Sequence, residues 1–299
     1  MTQNTHAGRS VTLSLIGNSL AGTAGTAAAL YSLSSSPAVV GFVRLILGAF
    51  TLLLFAPLMG GKFKNLFGLL KRPGIWIMAA SSASYQAFFF ASVERTGVAT
   101  AALVTVGCIP ASAGLVGWVV LRERPNKIWF IASIIGIVGL AVRSLGELQV
   151  NDSTGLIYAV IAGSGIGGYL NAAKVEIRAG GHPMQLPGLA YLLGSLGLLV
   201  FVYTDLMKVT WNTEAIGLAL FLGVVTMGLA NALQILGIRG IAPGVAATMM
   251  LSDPVTAAIL GVAVMHEELT LQGAIGLALV VIGLGLQSFS PGESKTAKK

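Results

Sequence analysis

Charge is what this chain has least of. Only 10% of its 299 residues are Asp, Glu, Lys or Arg, and 55% are hydrophobic; soluble domains carry about 25% charged residues. A soluble fold this apolar could not cover its own surface, so the surrounding solvent must be lipid. Cysteine is nearly absent too. Cys108 stands alone in an apolar run, can form no intrachain disulfide and reads as a buried packing thiol. The three histidines, His6, His182 and His266, fall near a terminus or in loops, with no H-E-x-x-H and no intramembrane His/Asp cluster. A membrane-embedded enzyme would need such residues, so neither metal nor cofactor is expected. Long loops are missing as well: the longest between spans is 14 residues, Gly60–Pro73, which leaves no room for an ATP-binding domain. No G-x-x-x-x-G-K-[ST] occurs. The literal G-x-G-x-x-G at Gly163-Ser164-Gly165-Ile166-Gly167-Gly168 lies inside an apolar span with no preceding strand, so it fails the context of a dinucleotide fingerprint and reads as close helix packing.

What the chain does have is long charge-free runs: Pro73–Val93, Thr96–Leu121, Ser153–Ala173, Pro183–Thr204, Ala215–Ile238 and Leu269–Pro291. Each meets the roughly 20 residues needed for a helix to cross a hydrocarbon core. Backbone groups in lipid must be satisfied internally, and the runs lack the period-2 alternation of a barrel. They predict an all-α membrane protein with spans at 10–33, 36–59, 74–94, 97–121, 128–145, 154–176, 183–205, 213–238, 241–265 and 268–288. Ser34-Ser35-Ser36-Pro37 divides the first two, because proline ends a helix and disfavours helix in the residue before it. The first span could pass for a signal peptide, but it is needed to complete the pattern described next. Glycine is abundant, at 39 residues, as suits helices that approach closely in a bilayer.

The two halves repeat. Residues 108–140 align without gaps onto 252–284 at an offset of 144, with Pro110/Pro254, Ala113/Ala257, Gly117/Gly261, Val120/Val264, Glu123/Glu267, Ile131/Ile275, Gly139/Gly283 and Leu140/Leu284 identical. Five spans per half is an odd number, so the second copy enters the membrane from the opposite side. Ten transmembrane helices as two inverted five-helix repeats, 10–145 and 154–288, between cytoplasmic tails 1–9 and 289–299, is the architecture expected of a secondary transporter.

Placing the N-terminus in the cytoplasm puts 14 of the 18 Lys and Arg in cytoplasmic segments, Lys174 among them, and three (Arg95, Arg143, Lys208) outside. That asymmetry is a positive-inside signal with both termini cytoplasmic. The external side holds Glu94, Glu147, Asp152, Asp205, Glu214, Glu267 and Glu268. The net charge of +7 is therefore topology and contact with anionic lipid, and no nucleic-acid partner is expected. Asn151-Asp152-Ser153 matches a glycosylation site but reads as a cap for span 6.

Polar residues inside spans are costly and face protein or water. Spans 5 and 10 are almost wholly apolar and belong at the periphery, facing lipid or a partner subunit. Candidate path residues collect in spans 1, 3, 4, 6, 8 and 9: Asn18; Tyr85, Gln86 and Phe89; Thr105; Asn171; Asn231 and Gln234; Ser252 and Asp253. An offset of 145 sets Gln86 opposite Asn231 and Phe89 opposite Gln234, each pair on one helical face. Two roles are open for these amides, a substrate site of neutral hydrogen-bond groups or glue between helices. Pro110 and Pro254 should each free a carbonyl one turn earlier, giving two broken helices at equivalent positions. Asp253 either meets a substrate ammonium or a proton, or pairs with Arg44 or caps the break. Arg44 is expected in an ion pair within the bundle or snorkelling toward the external end, or else on a substrate carboxylate. Met249 and Met250 either line a pocket or pack in the core.

These residues resemble the drug/metabolite transporter superfamily in its ten-helix form with two EamA-type repeats. The marks are Pro37 followed by Arg44, then Ala101-Ala102, Pro110 and Leu121-Arg122-Glu123 with Gly136 and Gly139, and in the second copy Ala246-Ala247, Pro254 and Met265-His266-Glu267 with Gly283. The family places a Gly-Glu or similar pair where this chain has Arg122-Glu123 and His266-Glu267, and the second half has no counterpart of Arg44. Overall likeness points further to the YddG-like branch of aromatic and neutral amino acid exporters. The resemblance implies export of small amino acids by alternating access from a bacterial inner membrane, with drug, nucleotide-sugar or other metabolite cargo and a passive channel as alternatives. Oligomeric state and driving ion are left open.

Overall fold

A computed structural model describes residues 2–30, 37–144, 152–238, 241–266 and 270–288. The Ser34-Ser35-Ser36 break, Asn151, Glu267 and the C-terminal tail lie outside the described residues. Every predicted span meets a helix. Helix α1 is Thr2–Leu30 and α2 is Pro37–Phe55, the latter ending in a 3₁₀ turn at Ala56–Met59. The stretch Pro73–Leu121 contains two helices, α3 (73–96) and α4 (98–121), parted at Gly97, whose φ of 77° only glycine adopts readily. Then follow α5 (Lys127–Arg143), α6 (Ser153–Arg178), α7 (Gln185–Leu206), α8 (Thr213–Ile238), α9 (Pro243–Met265) and α10 (Leu271–Ser288). Among the described residues six stretches are long and apolar enough to cross a bilayer: Ala38–Met59, Thr100–Leu121, Ser153–Arg178, Gln185–Leu206, Thr213–Ile238 and Pro243–Met265. The expected N-terminal tail 1–9 is helical from Thr2 onward and continuous with α1.

The caps follow the local sequence. Asn126 accepts from the Trp129 N–H, Asp152 from Thr154 and Gly155, and Asn212 from Ala215, each satisfying otherwise orphaned donors at a helix start. At the other end, α4 and α9 close in the same way. Arg122 and His266 are the two described non-glycine residues with positive φ, 56° and 57°, and their N–H groups turn back to Gly117 and Gly261. Both pairs are related by the offset of 144.

Packing carries the same symmetry. Helix α1 packs on α8 and α9 as α6 packs on α3 and α4, and α2 packs on α8 as α7 does on α3. Three repeat-related pairs, α2/α7, α4/α9 and α5/α10, pack on each other. The α5/α10 seam shows the direction. A Cβ at Gly139 would meet the Gly276 carbonyl at 2.7 Å, and one at Gly283 would meet that of Ala132 at 2.8 Å. Those two contacts exchange under the offset. Residue numbers rise along α5 as they fall along α10, so the helices are antiparallel and the repeats inverted. A parallel repeat would have set them side by side in the same direction.

The turns divide by charge. Residues 59–72, 122–127 and 174–185 meet at one end, joined by Arg72–Glu176 (3.1 Å), Arg178–Glu123, His182 Nε2 to the Met59 carbonyl (3.0 Å) and Gln185 to the Lys62 carbonyl (3.0 Å). This is the basic end. The opposite, acidic end has Arg95 on Asp152 at 3.1 Å, with the guanidinium over the Tyr158 ring.

Candidate functional site: a cavity between the two repeats

A cavity of about 110 Å³ lies at the centre, walled by α1, α2, α3, α6, α7, α8 and α9. At about 30 Å³ per water it suits a small solute. Its polar wall is Asn18, Arg44, Ser82, Tyr85, Gln86, Tyr169, Tyr191, Thr226, Asn231, Gln234 and Asp253. Seven of the residues expected from sequence therefore converge: Asn18, Arg44, Tyr85, Gln86, Asn231, Gln234 and Asp253. The repeat mates Gln86 and Asn231 both face it, as the offset of 145 predicts.

Most of these groups are oriented by one another. The Gln234 amide donates to Asn18 Oδ1 at 3.0 Å. Tyr169 donates to Tyr191 at 3.1 Å, and Tyr191 donates to Asn231 Oδ1, whose own amide donates to the Met227 carbonyl at 2.9 Å. The two tyrosine rings stack at 5.8 Å. Helix α8 supplies Thr226, Met227, Ala230, Asn231 and Gln234 just where it passes through a π-helical stretch, Phe221–Leu229. A π turn holds an extra residue, which re-aims the side chains after it, and such turns are frequent at functional sites.

Two polar atoms on this wall have no hydrogen-bond partner among the described residues: Asn18 Nδ2 and Arg44 Nε. The ion pair expected at Arg44 is corrected. No described carboxylate lies within salt-bridge distance of it, and Asp253 reaches the same cavity on a different helix, from α9 rather than α2. In α9 the helix ends at Met249, turns at Met250 and Leu251 and restarts at Ser252, one turn before Pro254, where the freed carbonyl was expected; the Met250 carbonyl accepts from the Asp253 N–H at 3.0 Å. The equivalent break at Pro110 does not form. Helix α4 runs unbroken through it, because close contacts to α6 hold it on both sides: Gly163 against Thr105 and Cys108, Gly167 against Ser112 and Ala113.

Four expected residues sit elsewhere. Phe89 stacks on Tyr85 at 5.6 Å, behind the wall. Thr105 donates to the Ala159 carbonyl at 3.2 Å, and Asn171 to the carbonyls of Ala113 and Gly167, so both tie α4 to α6. Ser252 donates to its own helix at Met249. The methionines divide: Met250 lines the cavity and Met249 is core. Missed from sequence were Ser82, Thr226 and Tyr191, the last in a span given no path role although it carries hydroxyls in an apolar run. Lys174, read as a cytoplasmic charge, is only 1% exposed.

The chain is thus a multi-pass α-helical membrane protein, two inverted copies around a polar pocket, the arrangement of a carrier. Comparison with known proteins is specific. Residues 9–145 and 153–289 each match the EamA-like transporter family, and the chain belongs to it. It is 28% identical over 280 residues to the "Uncharacterized transporter YwfM" of Bacillus subtilis (strain 168), covering 93% of each protein. A crystal structure at 17% identity superposes with a TM-score of 0.81 over 93% of this chain and 96% of that one, a likeness of fold.

Proposed function

We propose that this transporter exports small neutral or aromatic amino acids from the bacterial cytoplasm across the inner membrane, by alternating access, with both termini cytoplasmic. The observation that carries the cargo is the pair Arg44 and Asp253, which share one cavity wall without pairing to each other. They act on each other only through space, and a partly buried charge without a direct partner is costly. A zwitterion brings a carboxylate for Arg44 and an ammonium for Asp253 at once, and an amine or an organic acid brings only one of them. Gln86, Asn231 and the free Asn18 amide bond the polar ends, and Tyr85 and the Tyr169/Tyr191 stack face the side chain. Among the described residues Arg44 is the only Lys or Arg on the wall, too little positive charge for a phosphorylated cargo. The charge distribution of the turns supports the orientation.

The test is an uptake panel of radiolabelled amino acids in proteoliposomes, with and without a pH gradient. Neutral and aromatic amino acids should move and should exchange saturably. Asp253→Asn and Arg44→Gln should each abolish most of that transport with the protein still folded. If no amino acid moves, the cargo is wrong. If transport ignores the gradient, Asp253 carries no proton.

A further inference from the structure

The wall of the central cavity has an upper and a lower layer, and close helix packing sets their levels. Helix α8 runs from the acidic end to the basic end. Helix α2 runs beside it in the same direction: an added Cβ at Gly223 would meet Leu47, and one at Gly228 would meet Thr51. Arg44 comes a turn before Leu47, nearer the acidic end, and Gly41 beyond it packs on Gln86. Helix α1 runs the other way, since Gly17 packs on Ala230 and Gln234 while Gly237 packs on Ser10 and Ser14. Asn18 and Gln234 therefore belong to the lower layer, nearer the basic end. Tyr169, Tyr191 and Asn231, bonded in series, lie there too. Asp253 falls between the layers, packed on Gly22 one turn along α1 from Asn18.

In the lower layer almost every donor has a partner. Tyr169 donates to Tyr191, Tyr191 to Asn231, and Asn231 to the Met227 carbonyl. Gln234 donates to Asn18 Oδ1 at 3.0 Å. Asn18 Nδ2 is left over, without a hydrogen-bond partner among the described residues, on a residue only 4% exposed. An amide has an acceptor end and a donor end, and Gln234 decides which is spare by taking the acceptor. The arrangement stands on one side of the pseudo-twofold axis. The offset of 145 that relates Gly22 to Gly167 sets Asn18 opposite Gly163, which packs against the Thr105 carbonyl, and Gln234 opposite Phe89. The first copy therefore offers no matching donor.

We infer that Asn18, held by Gln234, reads the end of the substrate's side chain and favours cargo that ends in an oxygen acceptor, a hydroxyl or an amide, over an apolar isostere. The inference rests on the amino acid reading above. With the carboxylate at Arg44 and the ammonium at Asp253, both on the acidic side of Asn18, the side chain descends into the lower layer. At about 110 Å³ the cavity has room for roughly four waters, so that side chain is short. An acceptor at its end pairs the spare amide N–H. A methyl group in the same place leaves a buried donor unpaired, and sites built to bond a polar group reject analogues that lack it. Asn18 is thus a specificity residue, and Gln234 is a positioning residue that acts through it.

The experiment is uptake of equimolar isosteric pairs by the full chain in proteoliposomes, both members quantified by mass spectrometry in one sample. The pairs are serine with 2-aminobutyrate, threonine with valine, and asparagine with leucine. The ratio within a pair compares the two values of kcat/KM directly. In the best pair the polar member should be favoured at least about tenfold, the scale of one hydrogen bond left unmade by a buried donor. Asn18→Leu should bring that ratio close to one. Asn18→Asp keeps the size but offers an acceptor instead of a donor, and should do the same. Gln234→Leu frees the Asn18 amide to turn, so its ratio should fall by a smaller factor. A merely structural role would slow both members alike and leave the ratio where it was. An unchanged ratio in folded Asn18→Asp, or in Asn18→Leu, overturns the inference. So does a parent that takes up amino acids with ratios near one in all three pairs, and the cargo reading then stands. No uptake of any amino acid rejects the cargo reading itself, and the inference with it.

Discussion

The α5/α10 seam and the two three-helix units, α6 with α3 and α4 and its repeat mate α1 with α8 and α9, respond to the same internal repeat in opposite ways. At the seam the symmetry is kept: Gly139 on Gly276 and Gly283 on Ala132 are mirror contacts of backbone on backbone. In the units it is broken. The α6 unit is pinned by Arg95–Asp152 at one end and by Arg72–Glu176 and the pairing of Lys174 and Arg178 with Glu123 at the other, whereas the described residues of α1, α8 and α9 contain no ion pair. Direct backbone contact cannot be traded for another arrangement at low cost, so the seam is a fixed hinge side. Ion pairs at helix ends can break and re-form with water. If the carrier alternates as proposed, the symmetric contact is what its two states would share, and the asymmetric ones are what would change between them.

The largest expected effect comes from breaking the symmetric region. Gly139→Leu or Gly276→Leu would drive a side chain into backbone atoms that already stand 2.5–2.8 Å from an added Cβ. Added methylenes in a packed core cost roughly 1–3 kcal/mol, and here neither helix can yield without parting from the other. Little folded monomer should survive detergent extraction, as read by size-exclusion chromatography. Gly197→Leu, where an added Cβ would meet nothing within 4 Å, should be neutral in the same assay.

A crevice of about 440 Å³, lined by Thr23, Thr26, Gly217, Leu218, Phe221 and Leu260, parts α1, α8 and α9 toward the acidic end, and filling it should sharpen the contrast at less cost by fixing the three helices in one arrangement. Gly217 borders it, and a Cβ there also has open space. Gly217→Trp should leave the melting temperature near that of the parent while blocking most transport in proteoliposomes. Normal transport by the folded variant would mean that the crevice does not close during transport.

How much of this was legible in the sequence depends on what each residue answers to. The repeat, the span ends and the charge sidedness were readable because they follow from hydropathy and offset alone. Gln86 and Asn231 could be placed on the cavity because symmetry fixes a partner for each. Asn171 and Thr105 were misplaced for the reason that makes amides and hydroxyls ambiguous in a bilayer: they also bond neighbouring helices, and Gly163 and Gly167 bring α6 close enough to α4 for them to do so. Pro110 kept its helix because those same glycines clamp it, a tertiary effect that no local rule carries. Lys174 was taken for a solvated charge because it lies near a span end, although Glu123, its partner, is 51 positions away in sequence.

Smaller effects are expected where the two copies still match. Arg122 and His266 hold left-handed turns at repeat-related positions, a conformation that costs an L-residue roughly 1–2 kcal/mol. The pattern that the chain resembles has a Gly-Glu or similar pair there, and glycine suits the left-handed turn. His266→Gly should therefore raise stability by about 1 kcal/mol, after the added chain entropy of glycine is subtracted. Arg122→Gly should do the same, and because the sites lie at opposite ends their gains should add. Thermal unfolding in detergent reads both. If only one variant gains, the two turns are not equivalent and the symmetry at the helix ends is weaker than the backbone implies.

The smallest effect tests how firmly the α6 unit is pinned at the acidic end. The Gly155 N–H first, then the Arg95 guanidinium, hold the Asp152 carboxyl below its ordinary value of 3.8. A carboxyl depressed in the fold contributes stability that is fully present above its unfolded pKa and is lost as pH falls through the folded one. The contribution of Asp152 should therefore be constant from neutral pH down to about 4 and fade below that. Asp152→Asn keeps a good cap for Thr154 and Gly155 and removes the charge facing Arg95. Its melting temperature should fall slightly short of the parent at pH 7 and converge with it in acid, with the difference at pH 7 shrinking in high salt because the pair is exposed. A gap that persists unchanged into acid would assign the stabilisation to the cap geometry alone, and Arg95 would then be no part of what keeps the α6 unit shut.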